Sequence, residues 1–180
     1  PESVKERTEG IKVIAEAKSF DWQKVTVPPP IENSAALEGL VRQFKKVVLS
    51  WYPDSNGIRF FSSLALVDSP PERCKAVVTD FARYPKFFKV MEDVRRIKGD
   101  RNAFTMEFKM KYKIIFPLTF EQSYDYVWQP GGARLSFTLN RLRDHTIDGE
   151  WGAWDFYPMD GKTLMSHTVF NDLRSGGFFL

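Results

Sequence analysis

The segment Asn102–Tyr112 reads NAFTMEFKMKY, in which large apolar side chains alternate with mostly polar ones. The apolar members of this series are Phe104, Met106, Phe108, Met110 and Tyr112. A period of two residues places successive side chains on opposite faces of a β-strand. The segment therefore predicts an antiparallel strand with one buried face and one face in water.

The same alternation continues in the two strands predicted next, Leu118–Trp128 and Arg134–Arg141. Their apolar positions are Leu118, Phe120, Tyr124, Tyr126, Trp128, Leu135, Phe137 and Leu139. One face of the sheet is thus predicted to be rich in aromatic residues and methionine. Such a face is either covered by other parts of the molecule or forms the wall of a ligand cavity.

Turn signals and periodicity divide residues 58–180 into strands and two short helices. Ile58–Val67 is predicted as a strand, Pro71–Asp80 as a proline-led helix, and Phe81–Phe88 as a helical turn whose Phe and Tyr residues enter the core. Six strands are predicted to follow, namely Val90–Lys98, Ala103–Tyr112, Leu118–Trp128, Arg134–Arg141, Thr146–Tyr157 and Thr163–Asp172.

Residues 1–57 are predicted to form a helical extension with a proline-rich linker. Pro28–Pro30 favours a stiff, extended connector because proline cannot continue a helix. Ser34–Ser50 is predicted to be an amphipathic helix that needs an apolar surface to dock on. Its apolar stripe consists of Leu37, Leu40, Val41, Phe44 and Val48.

Composition excludes several classes of function. The net charge of +3 comes without any run of five or six like charges, so nucleic acid is not an expected partner. Cys74 is the only cysteine, which excludes an intrachain disulfide. No stretch reaches the ~20 apolar residues of a membrane span. The sequence begins at Pro1, so both a cytoplasmic protein and one exported after signal cleavage fit it.

Residues able to do chemistry are sparse. His145 and His167 have no partner at metal-ligand spacing, so neither a metal nor another cofactor is predicted. No nucleophile motif and no acid–base pair is recognisable, so no catalytic residue is assigned. The carboxylates Glu107, Glu121 and Asp125 lie opposite the aromatic positions. They are therefore predicted to form a charged outer surface; their expected partners are Lys109, Lys111 and Arg134.

Two stretches resemble the START-like (SRPBCC) superfamily, which includes polyketide cyclases, coenzyme Q-binding proteins and lipid-transfer domains. Ser69–Phe87 (SPPERCKAVVTDFARYPKF) resembles its proline-led helix followed by Thr-Asp-Phe and Tyr-Pro-x-Phe. Gly149–Phe156 (GEWGAWDF), followed by Asp160–Leu164 (DGKTL), resembles its last hairpin. The resemblance covers about residues 58–180, which we interpret as the START-like domain.

The resemblance implies an α+β helix-grip fold, a curved antiparallel sheet of about seven strands around a long C-terminal helix, with a hydrophobic cavity between them. The sequence ends at Leu180, where that helix would begin. We therefore expect another element to cover the aromatic face, and we favour Ser34–Ser50. A neighbouring chain, a membrane or a helix outside this sequence are the alternatives.

The expected function is binding or transport of a hydrophobic small molecule, such as a lipid, isoprenoid quinone or polyketide, without catalysis. Gln122 interrupts the apolar wall, so it is expected either to pair with Tyr124 or another cavity group, or to orient a ligand. The predicted cavity wall consists of Phe104, Met106, Phe108, Met110, Tyr112, Phe120, Gln122, Tyr124, Phe137, Leu139, Trp154 and His167.

Two other functions stay open at this point. One is a polyketide cyclase or aromatase, in which a Tyr or His moves protons. The other is an interaction module whose groove accepts a protein or a membrane surface. Transient membrane contact and a homo-oligomer formed by helix exchange are the partner predictions that accompany it.

Overall fold

The computed structural model describes residues 35–51, 60–113, 117–145 and 147–172. The predictions for residues 1–34, including the Pro28–Pro30 linker, and for residues 173–180 lie outside these ranges. The helices are α1 (Ala35–Phe44), α2 (Pro71–Thr79) and α3 (Tyr84–Phe87), with a 3-10 turn at Phe81–Arg83 before α3.

The described residues form one antiparallel sheet of eight strands in the order β1-β2-β8-β7-β6-β5-β4-β3. The strands are β1 (Lys46–Trp51), β2 (Phe60–Val67), β3 (Met91–Gly99), β4 (Ala103–Lys113), β5 (Pro117–Trp128), β6 (Arg134–Leu139), β7 (Gly149–Met159) and β8 (Lys162–Asp172). This curved sheet with short helices is the predicted α+β helix-grip class of fold.

The prediction of one helix over Ser34–Ser50 is wrong in its second half. The helix ends at Phe44, and Lys45 adopts a left-handed backbone with φ of 62°. Residues Lys46–Trp51 then form β1, which pairs with β2 and adds a strand to the seven predicted. The segment is rich in β-branched valine, which fits a pleated strand better than a helix. Hydrogen bonding to β2 decides between the two.

The strand register separates the sheet into two faces. One row of facing residues crosses six strands, and we call the face that carries it the aromatic face. The row consists of Phe104, Tyr126, Phe137, Gly152, Val169 and Phe61. The other face carries Glu107 and Asp125 on β4 and β5, and we call it the opposite face.

Helix α1 packs on the opposite face, which corrects the expectation that it covers the aromatic face. Its buried residues Leu37 and Val41 lie in one cluster with Leu64, Leu164 and Met159. These three sheet residues form an apolar patch that matches the stripe of the helix. Only one residue separates α1 from β1, so the helix stays close to this edge of the sheet.

Part of the aromatic face is covered instead by α2 and the 3-10 turn. Cys74 and Val78 of α2 pack with Phe156, close to Trp154 and Met165. Phe81 lies over the neighbouring strands β4 and β5. Its ring centroid is 5.8 Å from that of Phe104, 6.0 Å from that of Phe108 and 5.0 Å from that of Tyr126.

The helical turn after α2 enters the core in part only. Phe81 is buried, and Tyr84 packs beside it while donating a hydrogen bond of 2.5 Å to the carbonyl oxygen of Val78. Phe87 and Phe88 are 62% and 49% exposed, contrary to the prediction. A helix of four residues has one inner side, and Tyr84 occupies it.

Candidate functional site

The predicted wall residues of β4, β5 and β6 occupy aromatic-face positions in the register, as their parity required. For His167 parity left the face open, and the register places it on the aromatic face. The register assigns positions 112 and 120 to it as well, through the pairs Tyr112–Leu118 and Met110–Phe120. Trp154 and His167 face each other across β7 and β8 on the same side of the sheet. The aromatic face nevertheless has two parts: one is buried beneath Phe81, and the other is more exposed.

The first part, the closed region, is the ring cluster of Phe81, Phe104, Phe108, Tyr126 and Phe137. These side chains are at most 8% exposed, together with their neighbours Met106, Tyr124, Leu135 and Leu139. Phe104 and Tyr126 stack with centroids 5.3 Å apart, and Phe81 closes the cluster from above. The closed region packs as a hydrophobic core.

The second part, the open region, consists of Phe61, Glu150, Trp154, His167 and Val169. Phe61 is 51% exposed, and the other four are partly exposed. All five lie on the aromatic face, on the neighbouring strands β2, β7 and β8. An accessible apolar surface with polar groups in it is the usual composition of a ligand site.

His167 lies in the open region with its ring between two aromatic residues. It stacks on Trp154 at a centroid distance of 4.0 Å and lies 5.8 Å from Phe137. Burial lowers the pKa of His167 to about 4, so the ring is neutral at pH 7. Among the described residues, no group hydrogen-bonds to its ring nitrogens. A neutral imidazole therefore offers one donor and one acceptor here.

A second polar group joins the two regions. The Tyr124 hydroxyl lies 2.7 Å from Oε1 of Gln122 and 2.6 Å from Oε2 of Glu150. Of the alternatives expected for Gln122, pairing with Tyr124 is the one that this contact shows. Glu150 was missed, although an acidic residue at the parity of Gly152, Trp154 and Phe156 was a signal for it.

The hydroxyl of Tyr124 has one hydrogen, so it cannot donate to both neighbours. Either a protonated Glu150 donates to the phenolic oxygen, or the amide nitrogen of Gln122 does so, because the two ends of an amide are interchangeable in shape. Burial raises the pKa of Glu150 to about 7, although the hydrogen bond with Tyr124 acts to lower it. Near neutral pH both protonation states of Glu150, and hence both hydrogen-bond arrangements, are therefore accessible.

The charged surface predicted for the opposite face is present, with different partners. Glu107 accepts hydrogen bonds from Arg95 at 2.6 Å and from Arg143 at 2.7 Å. Burial opposes ionisation, but these two guanidinium groups hold the pKa of Glu107 below its usual range. Arg95 faces Glu107 directly across β3 and β4, which explains the pairing.

The cations that were predicted to pair with these carboxylates contact other acidic residues. Lys111 lies 3.4 Å from Glu92, and Arg134 lies 3.6 Å from the buried Asp155. Asp125 accepts a hydrogen bond of 2.5 Å from Thr105. Parity correctly predicted that the carboxylates lie on the opposite face. It could not predict their partners, because the strand register decides which residues are neighbours across strands.

The described residues also bear on membrane-spanning helices and on metal sites. No helix among them is long and apolar enough to cross a membrane. In the same residues, no group of three or more His, Cys, Asp or Glu side chains is arranged to hold a metal ion.

Comparison with known proteins identifies the fold by structure and not by sequence. No protein-family model matches the chain, and no curated protein matches it by sequence. A STAR-related lipid transfer protein from Xanthomonas axonopodis has a similar structure, with a TM-score of 0.57 and 10% identity. That likeness covers 72% of this chain and 80% of the other.

Two further structures agree. The Zhui aromatase/cyclase from Streptomyces sp. R1128 gives a TM-score of 0.54 at 14% identity, over 63% of this chain and 67% of its own. The protein TTHA0849 from Thermus thermophilus gives 0.52 at 15% identity, over 62% of this chain and 72% of its own. The chain thus has a START-like (SRPBCC-like) fold, as the sequence resemblance implied.

Proposed function

We propose that this protein binds a largely apolar small molecule, such as a lipid, isoprenoid quinone or polyketide, on the open region of its aromatic face. The observation that carries the proposal is the exposed Phe61 beside Val169, next to Trp154 and the neutral His167. The names of two structural neighbours, a lipid transfer protein and an aromatase/cyclase, support this class of ligand.

The energetics are adequate for such a ligand. Burying apolar surface contributes roughly 25 cal/mol per Å2, so about 300 Å2 of buried area contributes about 7 kcal/mol before the costs of association. In this arrangement Trp154 and His167 contact the ligand directly. Six other predicted wall residues belong to the closed region and act from below as a rigid floor for the site, namely Phe104, Met106, Phe108, Tyr124, Phe137 and Leu139.

The test compares two exposed phenylalanines. Phe61→Ala removes an open-region side chain, whereas Phe87→Ala removes one that is 62% exposed on α3. Binding of a fluorescent apolar dye and of lipids extracted with the purified protein is measured by fluorescence and native mass spectrometry. We expect Phe61→Ala to weaken binding about tenfold, from the lost burial of one ring, and Phe87→Ala to leave it unchanged.

A wild-type protein that carries no small molecule and ignores the dye contradicts the proposal. Equal losses in the two variants contradict the assignment to the open region. Circular dichroism of both variants confirms that each is folded, since neither side chain is part of the core.

A second function, cyclase or aromatase chemistry, is supported by the contact between Tyr124 and Glu150. A carboxyl group whose pKa is near 7 can give and take a proton at neutral pH. In that case Tyr124→Phe abolishes turnover of a poly-β-keto substrate analogue and leaves its binding intact. Retained turnover in this variant argues for the binding function alone.

The predicted partners beyond a small molecule stay predictions. Leu40 and Phe44 of α1 are 42% and 59% exposed, so helix exchange between copies would bury them. Light scattering over a range of concentrations tests this, with Phe44→Ala expected to abolish any oligomer. Transient membrane contact is tested by flotation with vesicles of neutral and of anionic lipid.

A further inference from the structure

We propose that Glu150, held by Tyr124, selects the ligand's polar end, so that the site prefers an apolar molecule ending in a hydroxyl group over one ending in a carboxylate. This inference rests on the proposed function and names the ligand class more closely.

The carboxyl group of Glu150 has two oxygens in different situations. Oε2 is 2.6 Å from the Tyr124 hydroxyl, which is itself 2.7 Å from Gln122. Among the described residues, Oε1 has no hydrogen-bond partner, and the side chain is partly exposed. The Tyr124 contact therefore fixes the orientation of the group and leaves Oε1 available on the open region.

An available carboxyl oxygen accepts a hydrogen bond in both protonation states. When Glu150 is neutral and donates through Oε2 to Tyr124, Oε1 is a carbonyl oxygen; when it is ionised, Oε1 shares the negative charge. Both forms suit the hydroxyl of an alcohol, phenol or quinol. Only the ionised form repels a ligand carboxylate, and it does so strongly in an apolar site.

Among the residues that the structure describes, the groups around Glu150 do not offer a carboxylate any compensating charge. On β8 the directly opposite residue is the uncharged Asn171, and His167 lies four residues from it on the same face. On β5, Tyr124 contacts Glu150 and Tyr126 lies near it, with Tyr84 of α3 behind Tyr126. Burial raises the pKa of Tyr84 to about 12 and that of Tyr126 well above its ordinary value, and lowers that of His167 to about 4. These three groups are therefore neutral between pH 5 and 8.

The selection also depends on pH. Burial raises the pKa of Glu150 to about 7, so most of the population is neutral at pH 6 and ionised at pH 8. A ligand carboxylate is thus repelled more strongly at pH 8 than at pH 6. An uncharged alcohol meets an acceptor at both values.

The experiment measures the affinity of oleyl alcohol and of oleic acid, which share one hydrocarbon chain, for the wild type at pH 6 and pH 8. At pH 8 we expect oleyl alcohol to bind at least about tenfold more tightly than oleic acid. At pH 6 we expect the ratio of the two affinities to fall toward one. Glu150→Gln keeps an oxygen and the contact with Tyr124 but loses the charge. In this variant we expect the ratio at pH 8 to fall as well, through tighter binding of the acid.

Glu121→Gln is the matched control, because Glu121 is exposed on the opposite face, one residue from Gln122. The ratio of alcohol to acid affinity in this variant should equal that of the wild type. Equal ratios in the wild type and Glu150→Gln, with both ligands bound, overturn this inference and leave the proposed function standing. Failure of both ligands and the dye to bind overturns the proposed function itself.

Discussion

The closed and the open region share one sheet face, yet they differ in what lies above them. Phe104, Phe108 and Tyr126 surround the ring of Phe81 and are excluded from water. On β2, Phe61 belongs to the same row across the sheet and is half exposed. The parity of a strand residue therefore predicts which face it occupies, but not whether it is buried in the core or remains exposed.

The two regions also differ in their ionisable groups. The open region contains a carboxyl and an imidazole, and burial shifts both toward the neutral form, raising the pKa of Glu150 to about 7 and lowering that of His167 to about 4. Desolvation disfavours charge of either sign, so one cause moves the two pKa values in opposite directions. The pH dependence of stability should report this difference.

The largest effect is expected from opening the closed region with Phe81→Ala. Removing a buried ring leaves a cavity among Phe104, Phe108 and Tyr126, which costs about 3–5 kcal/mol of unfolding free energy. Phe87→Ala, six residues away and exposed, should change it by less than about 0.5 kcal/mol. Urea denaturation measures both, and a similar cost for the two variants would show that Phe81 does not close the core.

His167→Phe should change how stability depends on pH while retaining a ring beside Trp154. Because the folded pKa of about 4 lies below the ordinary value, His167 contributes stability above about pH 6.5 that is lost as pH falls toward 4. The full difference is about 3 kcal/mol. The free energy of unfolding of the variant minus that of the wild type should therefore rise as pH falls through this range, and a constant difference would contradict the burial of His167.

Glu150→Gln should show the opposite slope. A folded pKa of about 7, above the ordinary value, gives stability that is complete below about pH 4.5 and is lost as pH rises through 7. After allowance for partial exposure the effect is about 2 kcal/mol. Relative to the wild type, the variant should gain stability as pH rises from 4.5 to 8. The wild-type contributions of the two groups oppose each other between pH 4.5 and 6.5, so each is visible only against its variant.

The last comparison concerns Gly152, which lies between Phe137 of the closed region and Val169 of the open one. A Cβ atom there would lie 2.4 Å from the carbonyl oxygen of Thr168 and 2.4 Å from the Phe137 ring. Gly152→Ala should therefore cost about 1–3 kcal/mol in thermal or urea unfolding. Gly39 lies in α1 with open space around it, so Gly39→Ala should instead raise the free energy of unfolding by about 0.5–1 kcal/mol. A higher free energy of unfolding in both variants would refute the close approach at Gly152.

Sequence reasoning succeeded where local pattern and fold agree. The alternation around Phe104 placed the aromatic residues on one face and Glu107 on the other, because side-chain direction in a strand depends only on position. It failed for Lys46–Trp51, since valine-rich residues at helical spacing fit either element until β2 is present as a partner. It also missed the pair of Tyr124 and Glu150, whose residues lie two strands apart in the sheet.

The sequence by itself indicated the succession of strands and short helices after residue 58, the aromatic face, and pairing with Tyr124 as one of the roles expected of Gln122. These features follow from spacing of two residues and from short motifs, which act locally. Only the tertiary structure decided that α1 packs against Leu64 and Leu164 on the opposite face, that Phe81 closes half of the aromatic face, and that Glu150 and His167 lie in its open half. Those outcomes depend on contacts between residues far apart in the chain, and burial, which shifts the pKa of both groups, is a property of the assembled sheet and helices.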